Sequence, residues 1–413
     1  MIAFGARLSR RVATAIAISV VPASMAGAMQ SRVDVDAASP AATLRQANER
    51  ALLLLPDIAA NQALRDQVAA QRRAARGPFV GPPVVSGDLE FGRDGLAEQE
   101  VGVSAGFRWP GESRAARLAV TRSGELIYAT LDDARLRIAG QVRNAWWALA
   151  SARAVIDVER RQAGLADQEV ASVTRLVSAG VQARRDLLLA AAERAAVLAR
   201  LSASELEFVG AQAAYEALAG PAPARFPAEV RATGIEIDEH PEVRAALARA
   251  AAAGARATTL RYGSRPRIEG RVGVRRERDE DRDQYANALR VGVGVPIGRD
   301  FTAVAETAGA RSDALRATAE AALVRRRLIA ERAAGGRRLA VSQRALQEAQ
   351  SRRDALAQAL ALTELGLREG EIGYIEALRA RQTLALAARD LAVAEIAASA
   401  AISTFNQAQG VLP

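Results

Sequence analysis

A duplication constrains this chain more than any other feature. Val101-Gly102-Val103 recurs as Val291-Gly292-Val293, Gly180 with Leu188 recurs as Gly370 with Leu378, and Gly220 recurs as Gly410, each at an offset of 190 residues. Upstream the spacing changes slightly, because Pro56-Asp57-Ile58 resembles Pro241-Glu242-Val243 at an offset of 185. Self-similarity of this kind means that one supersecondary unit is built twice and packed against itself. Two copies are expected, over 41–220 and 238–410. The linker between them, 221–237, is interrupted by Pro221, Pro223, Pro227 and Gly234 and cannot continue a helix.

Each copy reads as helix, two strands, long helix, turn and helix. The strands, expected at about 84–92, 98–109, 266–275 and 287–297, alternate with period two. In the first, Val85, Gly87, Leu89 and Phe91 oppose Ser86, Asp88 and Glu90. In the second, Val101, Val103, Ala105, Phe107 and Trp109 oppose Glu100, Gly102, Ser104, Gly106 and Arg108. In the third, Ile268, Gly270, Val272 and Val274 oppose Arg267, Glu269, Arg271, Gly273 and Arg275. In the fourth, Leu289, Val291, Val293, Val295 and Ile297 oppose Arg290, Gly292, Gly294 and Pro296. One face apolar and the other small or charged is the pattern of a barrel strand that turns its apolar side to lipid and its polar side to a lumen.

The helices have a different period. Leu131, Ala134, Ile138, Val142, Ala145, Leu149, Ala152 and Ile156 take seven steps over 25 residues, about 3.57 per turn, between a supercoiled heptad and a straight helix. Glycines at 111 and 180 bound a helix that would reach about 100 Å at 1.5 Å per residue. The return arm breaks at Gly220 and resumes at Pro241. In the second copy the arm from Gly370 to Gly410 is completed by a helix over about 41–77. The architecture is two long helical hairpins with a strand pair at one end of each. Four strands cannot close a barrel and would leave edges in lipid, so closure demands several chains; three would supply twelve strands, an even number.

Composition narrows the chemistry. Half of the 413 residues are hydrophobic yet only 4% are aromatic, which suits closely packed Ala-rich helices. There is no Cys, one His and no Lys, so all 56 basic residues are Arg. Cysteine nucleophiles, disulfides, Schiff-base lysines and multi-His metal clusters are excluded, and no catalytic residue, metal or cofactor is assigned. Arg7, Arg10 and Arg11, the apolar run to Val21, Pro22 and Ala26-Gly27-Ala28 read as a secretory signal over 1–28. Removing those three arginines takes the formal charge from +9 to +6. The remaining Arg alternate with Asp and Glu along helices, a solvated face and not a nucleic-acid track.

With the duplicated layout in view, the chain resembles the TolC-type outer-membrane efflux proteins across nearly all of its mature length. The resemblance rests on His240-Pro241-Glu242-Val243 opening the second copy and on Val291-Gly292-Val293-Gly294-Val295-Pro296-Ile297 before its long helix. It also rests on Leu176-Val177-Ser178-Ala179-Gly180 with Asp186-Leu187-Leu188, and on Leu367-Arg368-Glu369-Gly370 with Glu376-Ala377-Leu378. Trp109-Pro110-Gly111 followed by Arg114, and the compact length, look most like the heavy-metal efflux branch. The sequence departs from the family at Leu55-Pro56, where a polar residue would precede proline, and at Ala105-Gly106-Phe107, which replaces a proline-bearing strand end. Neither departure removes a chemical group.

What the resemblance implies is a homotrimeric outer-membrane duct of a Gram-negative bacterium, its α-helical barrel in the periplasm and its twelve-stranded β-barrel in lipid. It would pass metal cations or drugs from an inner-membrane pump of the RND type, joined through a periplasmic adaptor, to the exterior. The tip turns Gly180-Val181 and Gly370-Glu371 would meet the adaptor, and Asp186, Glu376 and Arg379 would lie at the periplasmic entrance, with links from Glu376 to Arg379 or Arg381. Val103, Phe107, Trp109, Val272, Val291, Val293 and Val295 would face lipid. The alternative is a periplasmic coiled-coil scaffold or adaptor without a barrel; adaptors have long hairpins but no need for duplicated lipid-ready strands. His240 is read as a helix-start residue and not a metal ligand, and Trp146 and Trp147 as packing residues. The run from Arg275 to Asp283 is read as a solvated loop outside the membrane.

Overall fold

The computed structural model describes residues 43–53, 60–91, 97–278, 284–298 and 300–413; the signal-peptide reading and part of the Arg275–Asp283 run lie outside them. The elements are α1 (Leu44–Leu53), α2 (Asn61–Ala74), β1 (Val84–Phe91), β2 (Ala97–Gly106), α3 (Glu112–Ser178), α4 (Arg184–Ala219), α5 (Pro241–Gly263), β3 (Glu269–Arg278), β4 (Ala286–Gly294), α6 (Phe301–Glu369) and α7 (Tyr374–Ala408). The helix expected over 41–77 is two described segments, α1 and α2.

The 67 residues of α3 and the 69 of α6 each extend about 100 Å. Antiparallel partners α4 and α7 return along them, and α5 packs beside both long helices. Nothing in α3 or α6 forces a break, since neither contains proline and their glycines sit where a neighbouring helix or open space needs no side chain. Among the described residues no helix is long and apolar enough to cross a membrane.

The centre of α3 is more enclosed than a single apolar stripe would make it. Leu131, Ala134, Val142, Leu149 and Ile156 are buried, and so are Ala139, Arg143, Trp146, Trp147 and Ala150 on other faces. The reason is that α1, α4, α5 and α7 all pack around this stretch. Trp146 is the anchor: its ring lies edge-on to Phe226 at 5.2 Å and tilted against Tyr215 at 6.0 Å, with Leu44, Ala47 and Ala51 of α1 in the same cluster.

The linker between the repeats is strapped across this core. Arg143 grips Glu229 with two hydrogen bonds of 3.0 and 2.7 Å, and also donates to the Gln407 amide oxygen at 2.5 Å and the Val411 carbonyl at 3.0 Å. Asn406 accepts from Ala232 N–H at 2.8 Å and donates to the Val230 carbonyl at 2.9 Å, and Arg332 donates to the Ile235 carbonyl at 2.7 Å. One proline-rich segment thus joins α3, α6 and α7, which come from both halves of the chain.

The strands form one antiparallel sheet in the order β1-β2-β3-β4, so the two hairpins meet at β2 and β3. The third strand begins at Glu269, three residues later than 266, because Pro266 has no N–H for a ladder and its carbonyl instead accepts the Trp109 indole N–H at 3.1 Å. The second strand ends at Gly106 and not near Trp109: Phe107 forms an isolated bridge with Phe79, and Trp109 N–H turns to the Glu112 carboxylate at 2.9 Å to start α3.

Candidate channel wall and helical tips

Register makes the sheet two-faced. Val85, Val103, Val272 and Val291 lie in one cross-strand row, and Val101, Val274 and Leu289 in the next. All are exposed although aliphatic. The opposite face has Asp88, Glu100 and Arg275 in one row and Ser86, Gly102, Gly273 and Arg290 in another. Arg275 binds both Glu98 and Glu277 at 2.7 Å, and Arg290 binds Glu100. Gly273 is required by close approach, since a Cβ there would meet the Val101 carbonyl oxygen at 2.9 Å. An apolar surface of this extent facing outward, on a sheet with two unpaired edges, is unstable in water and marks a surface that another phase or chain covers.

Of the residues expected to face lipid, Val103, Val272, Val291 and Val293 stand on this exposed apolar face, and Val295 is exposed just past the end of β4. Phe107 lies past the end of β2, packed on Phe79 at 5.4 Å between ring centres. Trp109 is half-buried at the junction with α3, where its indole holds the Pro266 carbonyl. It ties the base of the sheet to the helices.

The far ends of the hairpins are built alike. Gly180 has φ 74° and Gly370 has φ 78°, the left-handed conformation that ends a helix at least cost when the residue is glycine. Val181 N–H reaches back to the Leu176 carbonyl and Glu371 N–H to the Gly366 carbonyl, both at 2.9 Å, which closes each C-terminus. Gly366 has to be small, because Ile372 folds onto it. Val181 and Glu371 are exposed at the turns.

The two acids six residues beyond these glycines are in opposite environments. Both lie in the first turn of a helix, where the dipole favours a carboxylate. Asp186 is buried and contacts Arg185 at 3.5 Å, whereas Glu376 and Arg379 are exposed. Within the chain neither expected link forms. Among the described residues Glu376 has no ion pair, and Arg381 is engaged by Glu169 at 2.7 Å and Glu364 at 3.2 Å. For Arg381 helix geometry explains the choice, since Glu169 and Glu364 approach from α3 and α6 while Glu376 sits more than a turn away on α7 itself; Glu376 and Arg379, three residues apart, have a spacing that permits a pair, but both side chains stay in solvent.

Sequence reasoning missed the side chains that join the two hairpins. Tyr374 packs on Val173 and Ala190, and burial, with Glu169 next, pushes its phenol well above the ordinary range. Higher up, the buried Glu159 lies between Arg200 of α4 and Arg389 of α7, each at 3.6 Å, and Gln382 of α7 donates to Glu193 of α4. A cavity of about 660 Å³ opens between the four helices here, lined by Leu165, Glu169, Val197, Glu193, Leu360 and Arg381 among others. One signal was present: Glu159 occupies the helical step between Ile156 and Ala163, so it is a charge placed within an apolar stripe.

His240 is buried and caps α5, its Nδ1 accepting from Glu242 N–H at 3.3 Å. Burial, and after it the Arg332 guanidinium, holds the imidazole below its ordinary pKa, with Glu242 and the Gln407 carbonyl acting the other way. Among the described residues no group of three or more His, Asp or Glu is arranged to hold a metal ion.

No protein-family model matches the chain, and no curated protein matches its sequence. Solved structures do match in fold. The outer membrane protein VceC of Vibrio cholerae superposes with a TM-score of 0.73 at 18% identity over 89% of this chain and 96% of that one. The outer-membrane channel OprN gives 0.74 at 22% identity over 89% of each chain. The open state of the Neisseria gonorrhoeae MtrE outer membrane channel gives 0.71 at 18% identity, over 90% of this chain and 89% of that one. The chain has the fold of TolC-type outer-membrane channels, with a helical part and a strand part in the same arrangement.

Proposed function

We propose that the protein is a passive, trimeric outer-membrane exit duct of a tripartite efflux system. The observation that carries this reading is the four-stranded sheet, apolar and exposed on one face, charged on the other and open at both edges. Three copies close twelve strands, put the valines against lipid and the Arg and Glu rows around a lumen. The hairpins then extend about 100 Å into the periplasm. An inner-membrane pump of the RND type supplies the energy and chooses the cargo, metal cations or drugs. The adaptor meets the turns at Gly180, Val181, Gly370 and Glu371, and Asp186, Glu376 and Arg379 lie near the entrance. The likeness of fold to VceC, OprN and MtrE supports this assignment.

The test is expression in a Gram-negative host followed by fractionation and planar-bilayer recording. Heat-modifiable, detergent-dependent trimers in the outer-membrane fraction that conduct ions are expected. Release as a monomer by osmotic shock would refute the duct and leave a periplasmic scaffold.

A further inference from the structure

The edges of the sheet carry more information than their openness. Val84 lies opposite Ser104 in the first hairpin and Glu269 opposite Gly294 in the second. Thus β1 maps onto β3 at an offset of 185 and β2 onto β4 at 190, the two offsets at which the sequence itself repeats. The chain therefore already contains, between β2 and β3, one example of the closing strand of a repeat paired with the opening strand of the next. Shifting that junction by the same two offsets turns β2 into β4, and β3 into β1 of a following copy.

We infer that β4 of one subunit pairs antiparallel with β1 of the next in the register that sets Val291 opposite Leu89 of the partner subunit and Arg290 opposite Glu90 of the partner subunit. The inference rests on the trimeric-duct reading and specifies its interface.

Side chains, charges and backbone all fit this register. The in-chain pair Val101 and Val274 becomes Val291 and the partner's Leu89, and both positions are about two-thirds exposed in the single chain, at 68% and 69%. The in-chain neighbours Glu100 and Arg275 become Arg290 and the partner's Glu90. Each position has exchanged its sign, yet acid still faces base. Glu90 is exposed and has no ion pair among the described residues, so its carboxylate is available. Cross-strand opposite charges stabilise a pair, whereas two acids would destabilise it.

The backbone agrees as well. Phe107 N–H donates to the Ile268 carbonyl at 2.9 Å, so odd-numbered residues of β2 turn their peptide groups toward β3. By the same alternation the odd residues of β4 and β1 turn toward the open edges. Pro296 is even-numbered and its missing N–H falls on the β3 side. The shifted equivalents of Phe107 and Ile268 are Ile297, wholly exposed at 101%, and the partner's Pro83, which has only to accept.

Because the chain has no cysteine, crosslinking has no background. A tagged chain bearing Leu89→Cys is co-expressed with an untagged chain bearing Val291→Cys, and isolated membranes are oxidised. A hydrogen-bonded antiparallel pair holds its Cα atoms about 5.5 Å apart, within disulfide reach. The mixed dimer is expected at least about tenfold above that from Leu89→Cys with Val293→Cys or Leu289→Cys, whose Cα atoms would stand about 7–8 Å apart. Val85→Cys with Val295→Cys tests the same register at a second point and must also link. Stable outer-membrane trimers that crosslink best at a shifted pair, or at neither matched pair, would overturn the register while the duct reading stands. If the unsubstituted chain forms no trimer, both fall.

Discussion

Arg143 of α3 ties the linker between the repeats to the C-terminal end of the chain. Its side chain is 3% exposed and that of Glu229 is 11% exposed, and the guanidinium donates to four acceptor atoms, two on Glu229 of the linker, one on Gln407 of α7 and one on Val411 just past that helix. Replacing it with Met keeps much of the volume but leaves the Glu229 carboxylate unpaired where water is scarce. Removing one partner of a buried pair costs about 3–5 kcal/mol. The Glu229 side chain keeps some contact with solvent, so the lower end, about 3 kcal/mol, is expected. Arg143→Lys retains charge without the planar fork and should lose roughly 1 kcal/mol. In Arg143→Met with Glu229→Gln the orphaned charge is gone and at least about half of the loss should return.

The assay is the half-life of detergent-solubilised protein at a fixed elevated temperature, read by helical circular dichroism, because large assemblies unfold irreversibly. A second readout is specific to the strap: trypsin should cut after Arg225 and Arg231 faster in Arg143→Met, since both lie on the linker that Arg143 holds. The reasoning is refuted if the double variant is as labile as the single one, or if linker cleavage is unchanged while the half-life falls.

Val293→Arg places a charge on the apolar face of β4 and should cost about 2–4 kcal/mol per chain near the membrane midplane, seen as loss of SDS-resistant trimers; Gly292→Ser, on the other face, should be mild, and equal yields would reverse the strand orientation. Glu376→Gln should lower cation preference in planar-bilayer recordings at low salt, with the effect fading near 1 M, where the Debye length is about 3 Å; Glu348→Gln, higher on α6, should do little. His240 has a folded pKa below the ordinary 6.5, so the unfolded chain binds the extra proton first and stability falls as pH drops below that value; His240→Asn, which can still cap α5, should flatten the melting temperature between pH 7 and 5. Asp133, raised chiefly by burial, acts in the opposite sense above its ordinary 3.8, and because it is common to both chains, the difference between His240→Asn and the unsubstituted protein isolates the histidine.

Local chemistry accounts for what could be read without coordinates. Period-two alternation set the two faces of every strand, and a period near 3.6 set the long helices, because both follow from the geometry of one element. Glycine at 180 and 370 marked the tips, since a left-handed residue ends a helix at least cost when it lacks a Cβ. Strand ends were less legible: Trp109 and Pro266 continue the apolar pattern into the second and third strands, yet they bond to each other and leave the ladder.

What only the tertiary structure decided are contacts between residues far apart in the chain. Arg143 meets Val411 across 268 positions and Glu229 across 86, and no local period relates them. In the sequence Arg143 is one more cation on a charged helix; it is buried because four other helices converge on the middle of α3. Likewise Asp186 and Glu376 are equivalent by repeat, yet the first is buried and the second exposed, a difference that no local pattern carries. Register belongs to the same class. That Glu100 stands opposite Arg275 depends on how β2 slides along β3, which hydrogen bonding and the packing of both hairpins settle together, and which alternation alone leaves free by any even number of residues.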